Sequence, residues 1–454
     1  MRIAMLSWES RHSIWAGGVG VHVTELAQAM QELGHDVYVF TRRAPDQSQH
    51  GVVNGVSYHR CDYPPHPDFV EDINSMCRAF VDRVFSVEDL EGPFDVIHAH
   101  DWLTANAMIW IRQGRRRASV LTVHSTEYAR CGNALPYNGT SERVRYQEWA
   151  GADWADRVIA VSGAVRHEIQ QIYRVPEHKV AVVYNGVHAD RFVCKKDPGE
   201  LKRGRGIGPT DPTVLFCGRM SYHKGPDLLL EAVPGLLRFH PRASFVFVGE
   251  GEMRQGLEER TRRLNVGHAV RWLGRRDGAE LRELYHMADA VCVPSRNEPF
   301  GIVVLEAWSV SKPVVVTQIG GPGEYVQHNV TGLHVYPHPD SIGWGLGTLF
   351  MDWPKAREMG QEGRRAATSR FSWDIIAGQV LEVYEPAVRA VAGDHAQISP
   401  PSASRRGTHA TMQRSEPANA SARPQARPLA FSGGERRRRR LAAVAQLESG
   451  EASR

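Results

Sequence analysis

Cysteine is scarce in this 454-residue chain. The six present, Cys61, Cys77, Cys131, Cys194, Cys217 and Cys292, form neither a CxxC pair nor a cluster with histidine. That spacing excludes a disulfide framework and the usual zinc modules, and it suits a reducing cytoplasm. No apolar run approaches the roughly 18 residues that cross a bilayer. The opening MRIAMLSWES has one arginine and a short apolar run before Glu9, so it reads as a first strand and not as a signal peptide; a cytoplasmic location is expected. The P-loop pattern GxxxxGK(S/T) is absent, which excludes that route to a bound phosphate. A surplus of one charge is missing from the body too. Residues 391–454 carry 11 arginines against five acidic residues, and the other 390 residues hold 44 basic and 46 acidic side chains. The net +4 therefore belongs to the tail and says nothing about the ligand of the body.

What is present is length and alternation. At roughly 100 to 200 residues per domain, the chain holds two domains and some extra sequence. Val- and Ile-rich runs alternate with amphipathic stretches, the pattern of a parallel sheet covered by helices. RIAML leads through Gly17 and Gly18 into a helix whose apolar positions Val19, Val23, Leu26, Ala27, Met30 and Leu33 share one face, and VYVF follows as the next strand. Further strands are expected at DVIHAH, SVLTVH, RVIAVS and KVAVVY, then at TVLFCG, SFVFVG, VRWLG, AVCVP and PVVVT. Between these series, residues 194–212 lose periodicity to Gly, Pro and charge. The expected organisation is a first domain over 1–193, a linker over 194–212, a second domain over 213–370 and a final helix over 371–390. A basic tail of disordered composition follows over 391–454. The run Arg436–Arg440 in such a tail reads as solvated, so neither nucleic acid nor membrane is expected as a partner.

Two stretches carry most of the chemistry. In SRNEPFGIVVLEAW, Glu298 lies on a loop and Glu306 eight positions later in the helix that follows. A loop carboxylate can lie over a sugar, and one farther along the helix can accept two ribose hydroxyls. The N–H groups near Phe300, Gly301 and Ile302 form a helix N-terminus suited to a diphosphate. In FCGRMSYHKGP, Arg219 and Lys224 follow a strand's carboxyl end, the edge at which open α/β sheets bind ligands. Two cations there can neutralise a departing diphosphate. The first half contributes Gly17 and Gly18, Asp101 in HAHDWL, and His124 after SVLTVH. Each also has a plain structural reading: a tight turn, a helix N-cap and a strand-end histidine. No spacing of metal ligands is visible, so no metal is expected.

These residues, with the YNGV at 184–187 and VGEGE, resemble the retaining glycosyltransferases of family 4, including the glycogen and starch synthase-like members. The resemblance runs from residue 1 to about 388. It implies a GT-B fold, two Rossmann-like domains with parallel sheets facing a central cleft, and a last helix crossing back to the first domain. It also implies that Arg219 and Lys224 hold the donor diphosphate, Glu306 the ribose, and Glu298 the transferred sugar. His124 and Asp101 would face that sugar, Gly18 would lie near the phosphates or sugar, and the base would sit by Gly249 of VGEGE and the loop after VRWLG. The implied reaction moves a hexosyl group, glucosyl by preference, from a UDP-, ADP- or GDP-sugar to a saccharide or glucan acceptor, with no cofactor or metal. One departure stands out. Bacterial starch synthases carry a lysine two positions before the paired glycines, where this chain has Trp15, so ADP-glucose and glucan elongation do not follow automatically. A lipid or small-molecule acceptor, a sugar-nucleotide epimerase and a non-catalytic nucleotide-sugar binder fit the same cleft.

Overall fold

The computed structural model describes residues 1–398. The rest of the tail, including Arg436–Arg440, lies outside the described residues. Fourteen strands form two sheets among the described residues. The first holds β1 (Arg2–Leu6), β2 (Asp36–Arg42), β3 (His50–Val53), β4 (Val56–Cys61), β5 (Val96–His100), β6 (Ala118–Val123), β7 (Arg157–Ala160) and β8 (Val180–Val182), in the order β3-β4-β2-β1-β5-β6-β7-β8. The second holds β9 (Thr213–Cys217), β10 (Ser244–Val248), β11 (Val270–Gly274), β12 (Ala290–Val293), β13 (Val314–Thr317) and β14 (Gly332–Val335), in the order β11-β10-β9-β12-β13-β14. Every pairing is parallel except that of β3 with β4. The expected strands are all present. Two additions were not expected: β14, and the β3–β4 hairpin, whose turn residues Asn54 (φ 50°) and Gly55 (φ 80°) adopt the left-handed pair that matches strand twist.

Each sheet reverses its order beside its central strand. The first does so between β1 and β5, the second between β9 and β12. At such a switch point two neighbouring loops diverge to opposite faces and leave a crevice at the carboxyl ends of the strands. The loops that follow β1, β5, β9 and β12 carry Gly17 and Gly18, Asp101, Arg219 and Lys224, and Glu298 respectively.

The segment at 194–212 is more ordered than an open linker. Asp197 caps a short helix, Pro198–Arg203, by accepting from Glu200 N–H at 2.9 Å, and buried Lys202 pairs with Asp289 of the second domain at 2.6 Å. The chain then returns. Val187 N–H donates to Phe371 O at 2.7 Å, and the helix Trp373–Ile398 runs back along the first sheet, eight residues past the expected end at 390. Its Trp373, Ile376, Ala377, Val380 and Tyr384 pack with Ile3, Met5, Val23 and Leu26 in one apolar cluster. A Cβ on Gly186 would come within 2.6 Å of the Trp373 ring, so the glycine of YNGV permits this seat. Truncating a buried Trp to Ala costs about 3 to 5 kcal/mol, which sets the scale on which this helix ties the halves together. Among the described residues no helix is long and apolar enough to cross a membrane.

Candidate functional site

The two switch points enclose one cavity of about 790 Å³. Gly17, Gly18, Asp101, His124, Arg219, Lys224, Gly249, Glu298, Phe300, Gly301 and Ile302 all line it. Glu306 is the exception. It borders an adjoining cavity of about 130 Å³ that shares Trp15, Leu281 and Ile302 with the larger one.

On the second-domain face the backbone fixes the charges. After β9, a single turn at Tyr222–Lys224 ends in Gly225, whose φ of 66° and whose position, 2.2 Å from Pro294 O for any added Cβ, admit only glycine. Pro226 then opens the helix Pro226–Phe239. Lys224 is thereby aimed at Glu298, and its Nζ donates to both carboxylate oxygens at 2.7 and 2.9 Å. Ser295 Oγ donates to the same carboxylate at 3.0 Å. Glu298 is buried, so this pairing offsets much of its desolvation. Arg219 is exposed to the cavity and makes no ion pair among the described residues. Gly301, at φ 87°, precedes the helix Ile302–Ser309, whose first N–H groups have no side-chain cap. The positive end of that helix therefore opens beside the two cations. Along the helix, Glu306 accepts from Tyr285 Oη at 2.5 Å, and burial pushes its carboxyl pKa up. A Cβ on Gly249 would lie 1.9 Å from Gly218 O, which lets the loop after β10 close against the loop after β9.

On the first-domain face the carboxylates and imidazoles are buried. Glu9 accepts from the N–H groups of Ala16 and Gly17 at 2.5 and 2.6 Å and ties down the glycine loop. Trp15 lies between the guanidinium carbons of Arg11 (5.4 Å) and Arg275 (5.0 Å), the latter reaching across from the second domain. Asp101 occupies the N-cap position of the helix Trp102–Arg115 without capping it. Its φ is 58°, an uncommon conformation for a non-glycine residue, and its Oδ1 accepts from His124 N–H at 2.7 Å. Burial raises the Asp101 pKa to about 6 despite Arg130 nearby. Burial also lowers that of His124 to about 3, so its imidazole is neutral. Arg130 is engaged by Glu127 at 3.1 Å, by Ser125 O at 3.0 Å and by Glu148.

Sequence reasoning missed Glu9, Arg130, Arg275 and Asn297. Asn297 Nδ2 donates to Asn133 Oδ1 across the cleft at 2.6 Å. Glu9 alone left a signal, being a carboxylate just past the first strand at a switch-point edge. Arg275 and Asn297 meet partners 260 and 164 positions away, and Arg130, besides its neighbours Ser125 and Glu127, meets Glu148 only once the helices pack.

Two doubly wound domains with facing switch points, joined by a returning terminal helix, define the GT-B class of transferases. Comparison with known proteins agrees. Residues 16–191 match the family described as Glycosyltransferase Family 4, and residues 199–366 that described as Glycosyl transferases group 1. An uncharacterised glycosyltransferase of Methanocaldococcus jannaschii is 35% identical over 392 residues, 86% of this chain and 99% of its own length. The glycogen synthase of Mycobacterium tuberculosis is 32% identical over 405 residues, covering 86% and 95%. Among solved structures, sucrose-phosphate synthase from Thermosynechococcus elongatus superposes with a TM-score of 0.72 at 22% identity, over 86% of this chain and 99% of that one. The chain belongs to glycosyltransferase family 4.

Proposed function

We propose that the protein transfers a hexosyl group, glucosyl by preference, from a nucleotide-diphosphate sugar to an uncharged saccharide acceptor, with retention of anomeric configuration. The observation that carries this reading is the unequal charge of the two faces of the cleft. Arg219, which makes no ion pair among the described residues, and the uncapped helix start at Gly301 gather positive potential on the second-domain face, where a diphosphate needs it, beside a Lys224 shared with Glu298. The opposite face offers buried Glu9 and Asp101 and a neutral His124, and the cation it brings to the main cavity among the described residues, Arg130, is already neutralised by Glu127 and Glu148. An anionic acceptor would meet carboxylates there, whereas hydroxyl groups would find acceptors for their protons.

The bond from the anomeric carbon to the diphosphate breaks as Lys224 and Arg219 stabilise the charge growing on the leaving oxygen. Glu298 and His124 face the oxocarbenium-like sugar, and Glu306 holds the ribose. The acceptor hydroxyl attacks from the face the diphosphate leaves, its proton passing to a phosphate oxygen. No metal takes part, and the setting is cytoplasmic.

The test is a screen of UDP-, ADP- and GDP-glucose against glucan, lipid, small-sugar and phosphorylated polyol acceptors, read by product mass and anomeric configuration. Retained linkage to a neutral saccharide is expected. Inverted products, an epimerised donor without acceptor, or a preference for the phosphorylated acceptor would overturn the reading.

A further inference from the structure

We propose that His22, His100 and His124 together form a binding site for a divalent ion of the zinc class, and that its occupancy draws His124 out of the cleft and stops transfer. The effect on transfer rests on the role given to His124 above; the binding itself does not.

The three residues come from three separate elements. His22 lies on the helix Gly18–Glu32, His100 ends β5, and His124 follows β6. One ligand atom of each lies within 4.8 Å of the other two. His22 Nδ1 is 2.8 Å from Asn185 Oδ1, an atom that can only accept, so Nδ1 carries the proton and Nε2 presents a bare lone pair. That Nε2 is buried with no partner. His22 is only 3% exposed, so bulk water does not satisfy that nitrogen. A buried polar atom without a partner carries a desolvation cost that a bound ligand would remove.

The chemistry of the set selects the ligand. Burial keeps all three rings neutral, the form that binds metal. The Nδ1–H of His22 donating to an amide oxygen is the outer support that ligating histidines ordinarily have. Three nitrogens and no carboxylate favour zinc and its neighbours over magnesium or calcium. Tetrahedral zinc at about 2.0 to 2.1 Å places its ligands about 3.4 Å apart. His100 Nδ1 and His124 Nε2 stand 3.2 Å apart in a hydrogen bond, so with these two as ligand atoms the shared proton leaves on binding and the remaining closure is a movement toward His22. Only His124 of the three borders the main cavity, which makes it both the entry and the side chain displaced.

Titration of the full-length, chelator-treated protein with zinc sulfate, followed by competition with a chromophoric indicator, tests the site. One equivalent bound at micromolar zinc or below is expected. His22→Gln and His100→Gln should each weaken that uptake by about 10- to 100-fold or more. Cobalt(II) added to the unaltered protein should give the visible bands of a nitrogen-ligated ion and no thiolate charge-transfer band, a readout that does not depend on the variants folding. Zinc should also suppress donor consumption, and EDTA should restore it. Absence of saturable uptake, uptake in both variants as tight as in the unaltered protein, or a thiolate band would overturn the site and leave the orphan nitrogen of His22 with a buried water only. If zinc binds as described but no donor is ever consumed, the transferase reading fails and the site stands; if sugar is transferred and zinc does not bind, the reverse holds.

Discussion

The two faces of the cleft are built on the same doubly wound plan and reach opposite electrostatic states. On the second-domain face, cations and a helix N-terminus stand open to the cavity, and the main carboxylate, Glu298, is held by Lys224. On the first-domain face the polar groups are withdrawn from water, so Asp101 is raised to about 6 and His124 is lowered to about 3. One side is made to hold charge that arrives with a ligand. The other keeps its imidazole neutral and its carboxylates out of water, so it offers a sugar acceptors for hydroxyl protons.

The sharpest way to break this contrast is to remove a cation from the charged face. Lys224→Ala should lower kcat by about 10² to 10³, the usual loss for one electrostatic stabiliser. It should also cost roughly 3 kcal/mol of stability, because it strands the buried Glu298 carboxylate. Adding Glu298→Gln should recover the melting temperature and not the rate. If both recover together, the pair is structural only.

On the first-domain face, Asp101→Asn should stabilise the protein. A folded pKa raised to about 6 means that the native state binds more protons than the unfolded chain between about pH 4 and 6, so stability falls as pH rises through that window. The amide removes that loss, so the variant should gain about 2 to 3 kcal/mol above pH 6 and nothing below about pH 4. Denaturant melts at the two pH values check the sign. The wild-type rate should bend near pH 6, and the variant should be slower and lack the bend.

A smaller effect is expected at the seam between the faces. Glu306→Ala should raise the donor KM about 10-fold while leaving kcat within a few-fold, as for a contact made equally in ground and transition states. An equal fall in kcat would instead move Glu306 into the chemistry. Smallest of all, deleting residues 399–454 should leave transfer rates unchanged; a loss would mean that the basic tail holds a substrate or a partner.

How legible each face was follows from how it is built. Arg219 with Lys224, and Glu298 with Glu306, lie within short loop-to-helix stretches, so their spacing already placed them on one sheet edge. The β3–β4 hairpin was equally local: Asn54-Gly55 between alternating apolar residues is a strong turn signal, and it went unused. The first-domain face is different in kind. Asp101 meets His124 across 23 positions, His22 meets Asn185 across 163, and Tyr384 of the returning helix meets His98 across 286 at 2.6 Å. Periodicity carries no information at such separations.

The sequence by itself determined the alternation of strands and helices, the two-domain plan, the family resemblance and the cationic donor motifs. These depend on local propensity, repeat length and near-neighbour spacing. Only the tertiary structure decided that Lys224 and Glu298 are paired, that Asp101 leaves its helix uncapped to hold His124, that Glu306 sits in a side cavity, and that three distant histidines converge. Each of these depends on which groups lose water together, and that is settled when the sheets and the returning helix pack.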